Sequence, residues 1–355
     1  MNLDNIKLIE RCDRHGMLGL IENFADQCRD AKDIGSRFEL EPALKAQHKN
    51  IIVTGLGGSA IGGDILRSYV SDEAGLPVFV NRNYTLPHFV DKDSLVIVSS
   101  YSGNTEETIS AYNDAKSKHA RILAITSGGE IARLAGADGN PAIKIPPGLP
   151  PRCALGYSFF PLLIVMSKLG LVGDKTKEID EVIELLGEIS KTMAGHAVPA
   201  KSNIAKTLAA SLHNKYPIIY GGQDHIDSVV TRWRGQIAEN AKTLSSGYVF
   251  PEMNHNEIVG WDNPAKLIKD FTAVILRDPG DHPRISKRMD ITKTIIEKQG
   301  VNVIEVRSIG SDLLSRIFSL IYIGDFVSFY LAIMNRVDPT PVDRITYFKE
   351  ELAKS

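Results

Sequence analysis

The side chains best suited to chemistry lie in the segment 99–108, Ser-Ser-Tyr-Ser-Gly-Asn-Thr-Glu-Glu-Thr. Ser100, Ser102 and Thr105 come after the apolar run 94–98 and before a helical pattern. Backbone N–H groups, the positive end of the helix dipole and hydroxyl groups meet at such a junction and form an anion pocket. Because the loop contains no lysine or arginine, we expect a phosphate monoester held by hydrogen bonds. The segment alone leaves open a Ser/Thr-rich turn that only caps its helix.

A glycine-rich turn follows another buried strand and carries Gly58 and Ser59 in Gly55-Leu-Gly-Gly-Ser-Ala60. This turn fits the dinucleotide fingerprint, which also requires an acid at the end of the next strand to hold the ribose. That strand ends in Asn81-Arg82 and supplies no carboxylate. Since Arg82 can meet a 2′-phosphate, an NADP-dependent oxidoreductase stays an alternative. Two hydroxyl-bearing strand ends suit one phosphate better than a pyrophosphate.

Strands and helices alternate along the chain, which predicts an α/β fold with two open, doubly wound, mostly parallel sheets of the flavodoxin type. The ligand site is then expected beyond the carboxyl ends of the strands. The predicted strands are 50–54, 78–80, 95–98, 121–126, 142–145, 217–222, 272–276 and 301–306. The predicted helices after residue 48 run from the glycine turn to about residue 70 and over 106–118, 156–170, 175–196, 229–244, 285–299 and 313–334.

We expect five segments along the chain. Residues 1–48 form helices that pack on the first domain, and 49–152 form that domain, which binds phosphate. Connecting helices occupy 153–200, and a second domain occupies 201–336. A tail, 337–355, returns to the active site.

Composition limits the class of protein. The 355 residues are 43% hydrophobic and 24% charged, with a formal net charge of −2. This balance argues against nucleic acid or an anionic membrane as partner, and no apolar run is expected to span a bilayer. Three scattered cysteines (Cys12, Cys28 and Cys153) and the absence of a secretory signal predict reduced thiols in the cytoplasm. Neither a CxxC nor an HExxH motif is present to indicate zinc.

Several motifs together resemble a known family. Gly57-Gly-Ser-Ala-Ile-Gly62 and Ser100-Tyr-Ser-Gly-Asn-Thr-Glu106 look like the two loops of the sugar isomerase (SIS) fold. Later segments resemble the bifunctional phosphoglucose/phosphomannose isomerases of archaea and some bacteria: 151–157, 232–242, 252–257 and 338–342. The resemblance extends over about residues 50–350.

The resemblance implies an aldose–ketose isomerase acting on hexose 6-phosphates without cofactor or metal, and it implies a role for each matching residue. Glu239 is the base that moves a proton between C2 and C1, and Arg152 stabilises the enediolate. His255 and Lys349 assist ring opening, and Thr340 governs which face of C2 is protonated. In the related enzymes the histidine comes from the partner subunit, so a homodimer is expected.

Two further interpretations remain open at this stage. By spacing alone, Glu239 is a solvent-facing residue paired with Lys242 one turn further on. A non-catalytic sugar-phosphate regulator is also conceivable, although no basic DNA-recognition helix is present. The loop sequence Ser-Ser-Tyr-Ser and the alanines around Glu239 depart from the pattern often seen in the family, and either departure would change the ratio of the two activities.

Overall fold

Two parallel β-sheets with helices on their faces make up the computed structural model, which describes residues 2–352 and 354. The first sheet consists of β1 (Asn50–Thr54), β2 (Val78–Asn81), β3 (Ser94–Ser100), β4 (Arg121–Thr126) and β5 (Ala142–Lys144). Its strands lie in the order β2-β1-β3-β4-β5, and all neighbours are parallel. The chain leaves β1 toward one edge and returns on the other side as β3. A crevice therefore opens between the carboxyl ends of these two strands.

Both faces of this sheet are covered, which explains why its strands read as apolar runs. Ile51 and Val53 belong to the large core shared with the helices on one face, whereas Ile52 packs into a smaller cluster with the helices on the other. The first six helices are α1 (Ile6–Cys12), α2 (Met17–Glu22), α3 (Phe24–Arg37), α4 (Gly58–Val70), α5 (Glu106–Ser117) and α6 (Gly129–Asp138).

The second sheet repeats this arrangement with four strands. They are β6 (Tyr216–Gly222), β7 (Ser246–Phe250), β8 (Phe271–Arg277) and β9 (Asn302–Arg307), in the order β7-β6-β8-β9 and all parallel. The remaining helices are α7 (Leu155–Lys168), α8 (Thr176–Ile189), α9 (Ile204–Leu212), α10 (Asp227–Ala241), α11 (Ala265–Ile268), α12 (Pro283–Lys298), α13 (Leu313–Met334) and α14 (Asp343–Leu352). The predicted α/β class with two parallel sheets and a helical tail is confirmed.

At the corresponding edge of the second sheet, a carboxylate lies against the end of β6. A Cβ on Gly222 would lie 2.6 Å from Asp281 Oδ1, so this carboxylate rests directly against the end of β6. Asp281 Oδ2 accepts a hydrogen bond from the Asp278 N–H at 3.1 Å. Burial raises the pKa of Asp281 to about 6. A carboxylate in this position disfavours an anion at the end of β6.

Helix α13 corrects the expectation that no segment is apolar enough to span a bilayer. Its 22 residues meet that criterion by length and hydropathy, but the qualifying window is 100% buried inside the protein. Helices α8, α9 and α10 pack around it, and α3 packs along α7 and α8. We therefore regard α13 as the central core helix of the fold.

Candidate active site

Arg152 is the residue around which the site is built. It is only 4% exposed and lies in the short 3₁₀ turn Pro151–Cys153. Its Nε donates to Asn240 Oδ1 at 2.7 Å, and its Nη2 donates to the carbonyl oxygens of Pro339 and Thr340, both at 2.8 Å. Its Nη1 lies 3.5 Å from Glu239 Oε2. The predicted cation and the predicted base are therefore adjacent.

A buried polar network holds Arg152 from behind. Arg232 Nη2 donates to the Arg152 carbonyl oxygen at 3.1 Å and to Asp325 Oδ2 at 2.7 Å. Gln236 Nε2 donates to Asp325 Oδ1 at 2.9 Å. Each charged group is paired, as burial demands. Sequence reasoning missed these residues; the available signal was Asp325, the one carboxylate in the otherwise apolar helix α13.

Helix α10 supplies the inner side chains at regular spacing. Arg232, Gln236 and Asn240 are four residues apart and so share one helix face, which packs on α13. Glu239 precedes Asn240 and is turned away from that buried face. Its side chain keeps 30% exposure, which leaves its carboxylate accessible to a ligand.

Lys242 does not neutralise the Glu239 carboxylate, so that interpretation is wrong. Its Nζ donates to the backbone carbonyl oxygens of Glu239, Pro339 and Pro341, the last two at 3.1 and 2.6 Å. Lys242 ends α10 with a left-handed backbone, φ 55°. Burial and the nearby Arg152 charge lower the pKa of Lys242. The lysine thus ties the tail loop to α10.

The tail loop brings Thr340 to this group. The Thr340 N–H donates to Asp338 Oδ1 at 3.0 Å, and its carbonyl oxygen accepts from Arg152. Thr340 Oγ1 is buried and has no hydrogen-bond partner among the described residues. Burying a hydroxyl group without a hydrogen-bond partner costs free energy. Thr340 Oγ1 is therefore available to form a hydrogen bond with a ligand oxygen.

The hydroxyl-rich loops after β1 and β3 are joined to each other by hydrogen bonds. The Tyr101 N–H donates to Ser59 Oγ at 3.0 Å, so the Ser59 oxygen bridges the two loops. Ser100 Oγ donates to Thr105 Oγ1 at 3.4 Å, and Ser102 Oγ accepts from the Asn104 N–H at 3.3 Å. The four predicted hydroxyl residues therefore gather at one edge of the first sheet.

Gly58 connects these loops to Arg152. A Cβ at Gly58 would lie 2.3 Å from the Pro151 oxygen and 3.0 Å from the Arg152 nitrogen. Only glycine lets the turn that carries Arg152 rest on the first turn of α4. Eight of the ten predicted site residues are thus linked through contacts or neighbouring positions in the loops.

The other two, His255 and Lys349, are not brought to this group within one chain. His255 is exposed in a 3₁₀ turn, Glu252–His255, that follows β7. Lys349 is exposed on α14, a helix that buries none of its side chains. Within residues 2–352 and 354, neither side chain forms a hydrogen bond or ion pair with Glu239 or Arg152.

Arg82, the residue that kept the NADP alternative open, is engaged elsewhere. Its Nη2 forms an ion pair with Asp64 Oδ2 from α4. A guanidinium already neutralised by a carboxylate is a poor ligand for a 2′-phosphate. This contact disfavours a dinucleotide at the glycine turn.

The two sheets with hydroxyl loops at one edge define a protein of the sugar isomerase (SIS) class. Residues 45–147 match the SIS domain family, and residues 201–352 match the family described as bacterial phospho-glucose isomerase C-terminal SIS domain. A crystal structure of a glucose-6-phosphate isomerase like protein from Thermus thermophilus superposes with a TM-score of 0.64 at 20% identity. That alignment covers 96% of this chain and 98% of the other.

Two curated relatives narrow the assignment from the SIS class to one family. The bifunctional phosphoglucose/phosphomannose isomerase of Caldicellulosiruptor bescii is 47% identical over 339 residues, which are 95% of this chain and 99% of the relative. That of Aquifex aeolicus is 36% identical over 90% of this chain and 96% of the relative. The chain belongs to the bifunctional phosphoglucose/phosphomannose isomerase family, and it is an isomerase of the intramolecular oxidoreductase class.

Proposed function

We propose that this enzyme interconverts glucose 6-phosphate and mannose 6-phosphate with fructose 6-phosphate through a cis-enediolate, with Glu239 as the base. The observation that carries the proposal is the Glu239–Arg152 pair, 3.5 Å apart, next to the hydroxyl-rich edge of the first sheet. A carboxylate that moves a proton and a fixed cation that accepts the resulting negative charge are the two groups this reaction needs.

The phosphate is assigned to the loops after β1 and β3. Helices α4 and α5 both begin there, and neither of their N-cap residues, Gly57 and Thr105, caps the helix with its side chain. Free N–H groups at two helix ends, together with Ser100 and Ser102, suit a phosphate dianion. The phosphate would then anchor C6, leaving the opposite end of the open sugar to reach Glu239.

The proposed proton transfer conserves atoms and charge. Glu239 takes the C2 proton of the open aldose, the C1–C2 double bond forms, and negative charge develops on O1. Arg152 Nη1 donates to that oxygen. Glu239 then returns the proton to C1 while the O2 hydroxyl proton passes to O1, which leaves the C2 carbonyl of the ketose.

Both aldoses arise from one planar intermediate. Reprotonation at C2 on one face gives glucose 6-phosphate, and on the other face mannose 6-phosphate. Thr340 is our proposed selector, because its Oγ1 is buried beside Arg152 without a partner and so can bond a sugar hydroxyl in either orientation of C2.

Ring opening requires an acid and a base that one chain does not bring to the site. We assign them to His255 and Lys349, with His255 donated by a second copy of the chain. Support comes from α14, whose Tyr347 and Phe348 are 65% and 64% exposed, an unusual state for aromatic residues. A homodimer that covers this helix would complete the site.

The three free cysteines agree with a reducing compartment such as the cytoplasm, which we retain as part of the proposal. Within the described residues, no group of three or more His, Cys, Asp or Glu side chains is arranged to hold a metal ion. Activity without a metal remains a prediction.

The proposal is tested by assaying the purified protein with glucose 6-phosphate and mannose 6-phosphate separately, with and without EDTA. We expect fructose 6-phosphate from both substrates and rates that EDTA leaves unchanged. Tight binding of the sugar phosphates without turnover would instead support the regulator, and stoichiometric binding of NADPH would support the oxidoreductase.

A further inference from the structure

A pocket lined by three arginines lies outside the candidate active site, between the N-terminal helix α1 and the end of α13. It has a volume of about 560 Å³ and is lined by Leu8, Arg11, Cys12, Arg14, Arg336 and Asp338. The arginines come from two segments more than 300 residues apart in sequence, so the fold brings them together. Its volume lies within the range of small-molecule sites.

The charges of the residues that line this pocket do not balance one another. Within residues 2–352 and 354, none of the guanidinium groups of Arg11, Arg14 and Arg336 forms an ion pair. The one carboxylate in the lining, Asp338, is bound through Oδ2 to His15 Nδ1 at 2.7 Å. Three guanidinium charges and one carboxylate leave a formal charge of +2. A phosphate monoester carries about −1.5 to −2 at neutral pH, which matches this charge.

The end of α13 fixes the position of Arg336 at the pocket. Arg336 has φ 57°, in the left-handed region, directly after the end of α13. The Val337 N–H donates to the Ala332 oxygen at 3.1 Å, the long-range hydrogen bond of a helix-ending motif in which glycine is usual. An L-residue costs roughly 1 kcal/mol in this conformation. The fold therefore tolerates strain at a position that places a guanidinium on the pocket.

We propose that this pocket binds the phosphate group of a small organic phosphate monoester. Guanidinium groups bind phosphate oxygens in a bidentate fork, and three arginines, all exposed, line this one pocket. The volume exceeds what a phosphate alone fills, and Leu8 and Cys12 offer an apolar surface to the organic part. The proposed isomerisation uses none of the three arginines, and Asp338 is the one lining residue that also contacts the candidate active site.

The pocket is connected to the candidate active site by a short path. Asp338 lines the pocket and accepts from the Thr340 N–H at 3.0 Å, and the Thr340 oxygen accepts from Arg152 Nη2 at 2.8 Å. An anion that draws Arg336 inward would act on the same tail loop. This regulatory consequence rests on the proposed function, whereas the binding does not.

The test is isothermal titration calorimetry with glycerol phosphate, a monoester that this isomerase chemistry cannot convert. The titrations use the double variant Ser102→Ala with Thr105→Ala, so that phosphate binding at the hydroxyl-rich loops after β1 and β3 is already weakened. We expect one binding event per chain in this background. Adding Arg336→Gly or Arg14→Ala should lower the affinity at least about tenfold, the loss expected for one charge-assisted contact.

Two controls show whether a loss of affinity is specific to the pocket and is not caused by unfolding. Arg284→Ala removes one exposed positive charge on α12 and should change the affinity less than about twofold. Arg336→Gly should not lower the melting temperature, because glycine relieves the left-handed backbone. Unchanged affinity in both pocket variants, or no binding in the background variant, would overturn the proposal. Because no turnover is measured, this outcome is independent of whether the isomerase assignment holds.

Discussion

The guanidinium of Arg152 divides its donors between structure and chemistry. Nε and Nη2 are committed to Asn240 and to the two tail-loop carbonyls at 2.7 to 2.8 Å. Nη1 has only the long 3.5 Å contact with Glu239. Three hydrogen bonds therefore fix the group, and the remaining nitrogen is the one that donates to the enediolate oxygen in the proposed mechanism. Such preorganised donors account for much of the rate enhancement in comparable sites.

In the loop after β3, which we propose binds the phosphate, the double substitution Ser102→Ala with Thr105→Ala is expected to weaken substrate binding. Removal of two hydroxyl contacts should raise KM for all three sugar phosphates by about tenfold or more and change kcat much less. Steady-state kinetics in both directions measure this effect.

The matched control is Thr207→Ala with Ser211→Ala, two hydroxyl residues on α9 that bond only backbone carbonyls. It should leave KM as in the parent protein. An unchanged KM in the loop variant would show that the phosphate is bound elsewhere.

Among the elements, those with long apolar patterns were predictable from sequence, and those defined by tertiary contacts were not. Helix α13 was predicted at its observed bounds, Leu313–Met334, because a long and mostly apolar run has one simple explanation. Strand β7 was missed, since it is an edge strand of Ser-Gly-Tyr-Val-Phe in which only Phe250 is buried. Helix α8 ends at Ile189, earlier than expected, because the chain continues as a π-helical turn.

The same reasoning explains which parts of the candidate site could be predicted. The hydroxyl loops follow from local sequence, and Glu239 and Arg152 from the family motifs. The support of Arg152 by Arg232 and Asp325 could not be predicted, because it depends on how α10 packs against α13. The alternative that Lys242 pairs with the Glu239 carboxylate is wrong, since helix spacing does not reveal that the tail loop lies within reach of Lys242.

At the edge of the second sheet, Asp281→Asn is expected to stabilise the protein at alkaline pH. The folded-state pKa of about 6 exceeds the unfolded value, so ionising Asp281 costs folding free energy. That cost is absent in acid and grows as pH rises through about 6. The amide removes it and should gain about 1–2 kcal/mol at pH 8, after allowance for partial exposure.

Urea unfolding at pH 8 and pH 5 measures this gain, which should shrink at the lower pH. Asp270→Asn, a change at an exposed carboxylate, should alter stability by less than about 0.5 kcal/mol at both. A gain of equal size at both pH values would contradict the assigned titration.

At the scale of the whole molecule, the two halves share one architecture, a parallel sheet with helices packed on it, but they contribute differently to the proposed site. The first sheet has hydroxyl-rich loops after β1 and β3, whereas in the second sheet the Asp281 carboxylate lies against the end of β6. The second half instead supplies Glu239 from α10 and holds Arg152 through Asp325 and Arg232. The proposed active site therefore depends on the packing of both halves.

The proposed sharing of the active site between two subunits predicts complementation between two inactive variants. Glu239→Gln and His255→Ala should each abolish activity alone. Mixed by unfolding and refolding together, they should recover about a quarter of parent activity, because half of the dimers are mixed and each has one intact site.

The control mixes two separate preparations of the Glu239→Gln variant and should recover nothing. Failure of the mixed sample to recover activity, while gel filtration shows dimers, would mean that His255 does not act across the interface.

The most direct measurement follows the C2 hydrogen in deuterated water. With the parent enzyme, proton NMR should show loss of the C2–H signal from both glucose 6-phosphate and mannose 6-phosphate. In Glu239→Gln this exchange should fall by at least about a thousandfold for both sugars, while Glu297→Gln on α12 exchanges normally. Exchange within about tenfold of the parent rate in Glu239→Gln would contradict the account, because another group would then carry the proton.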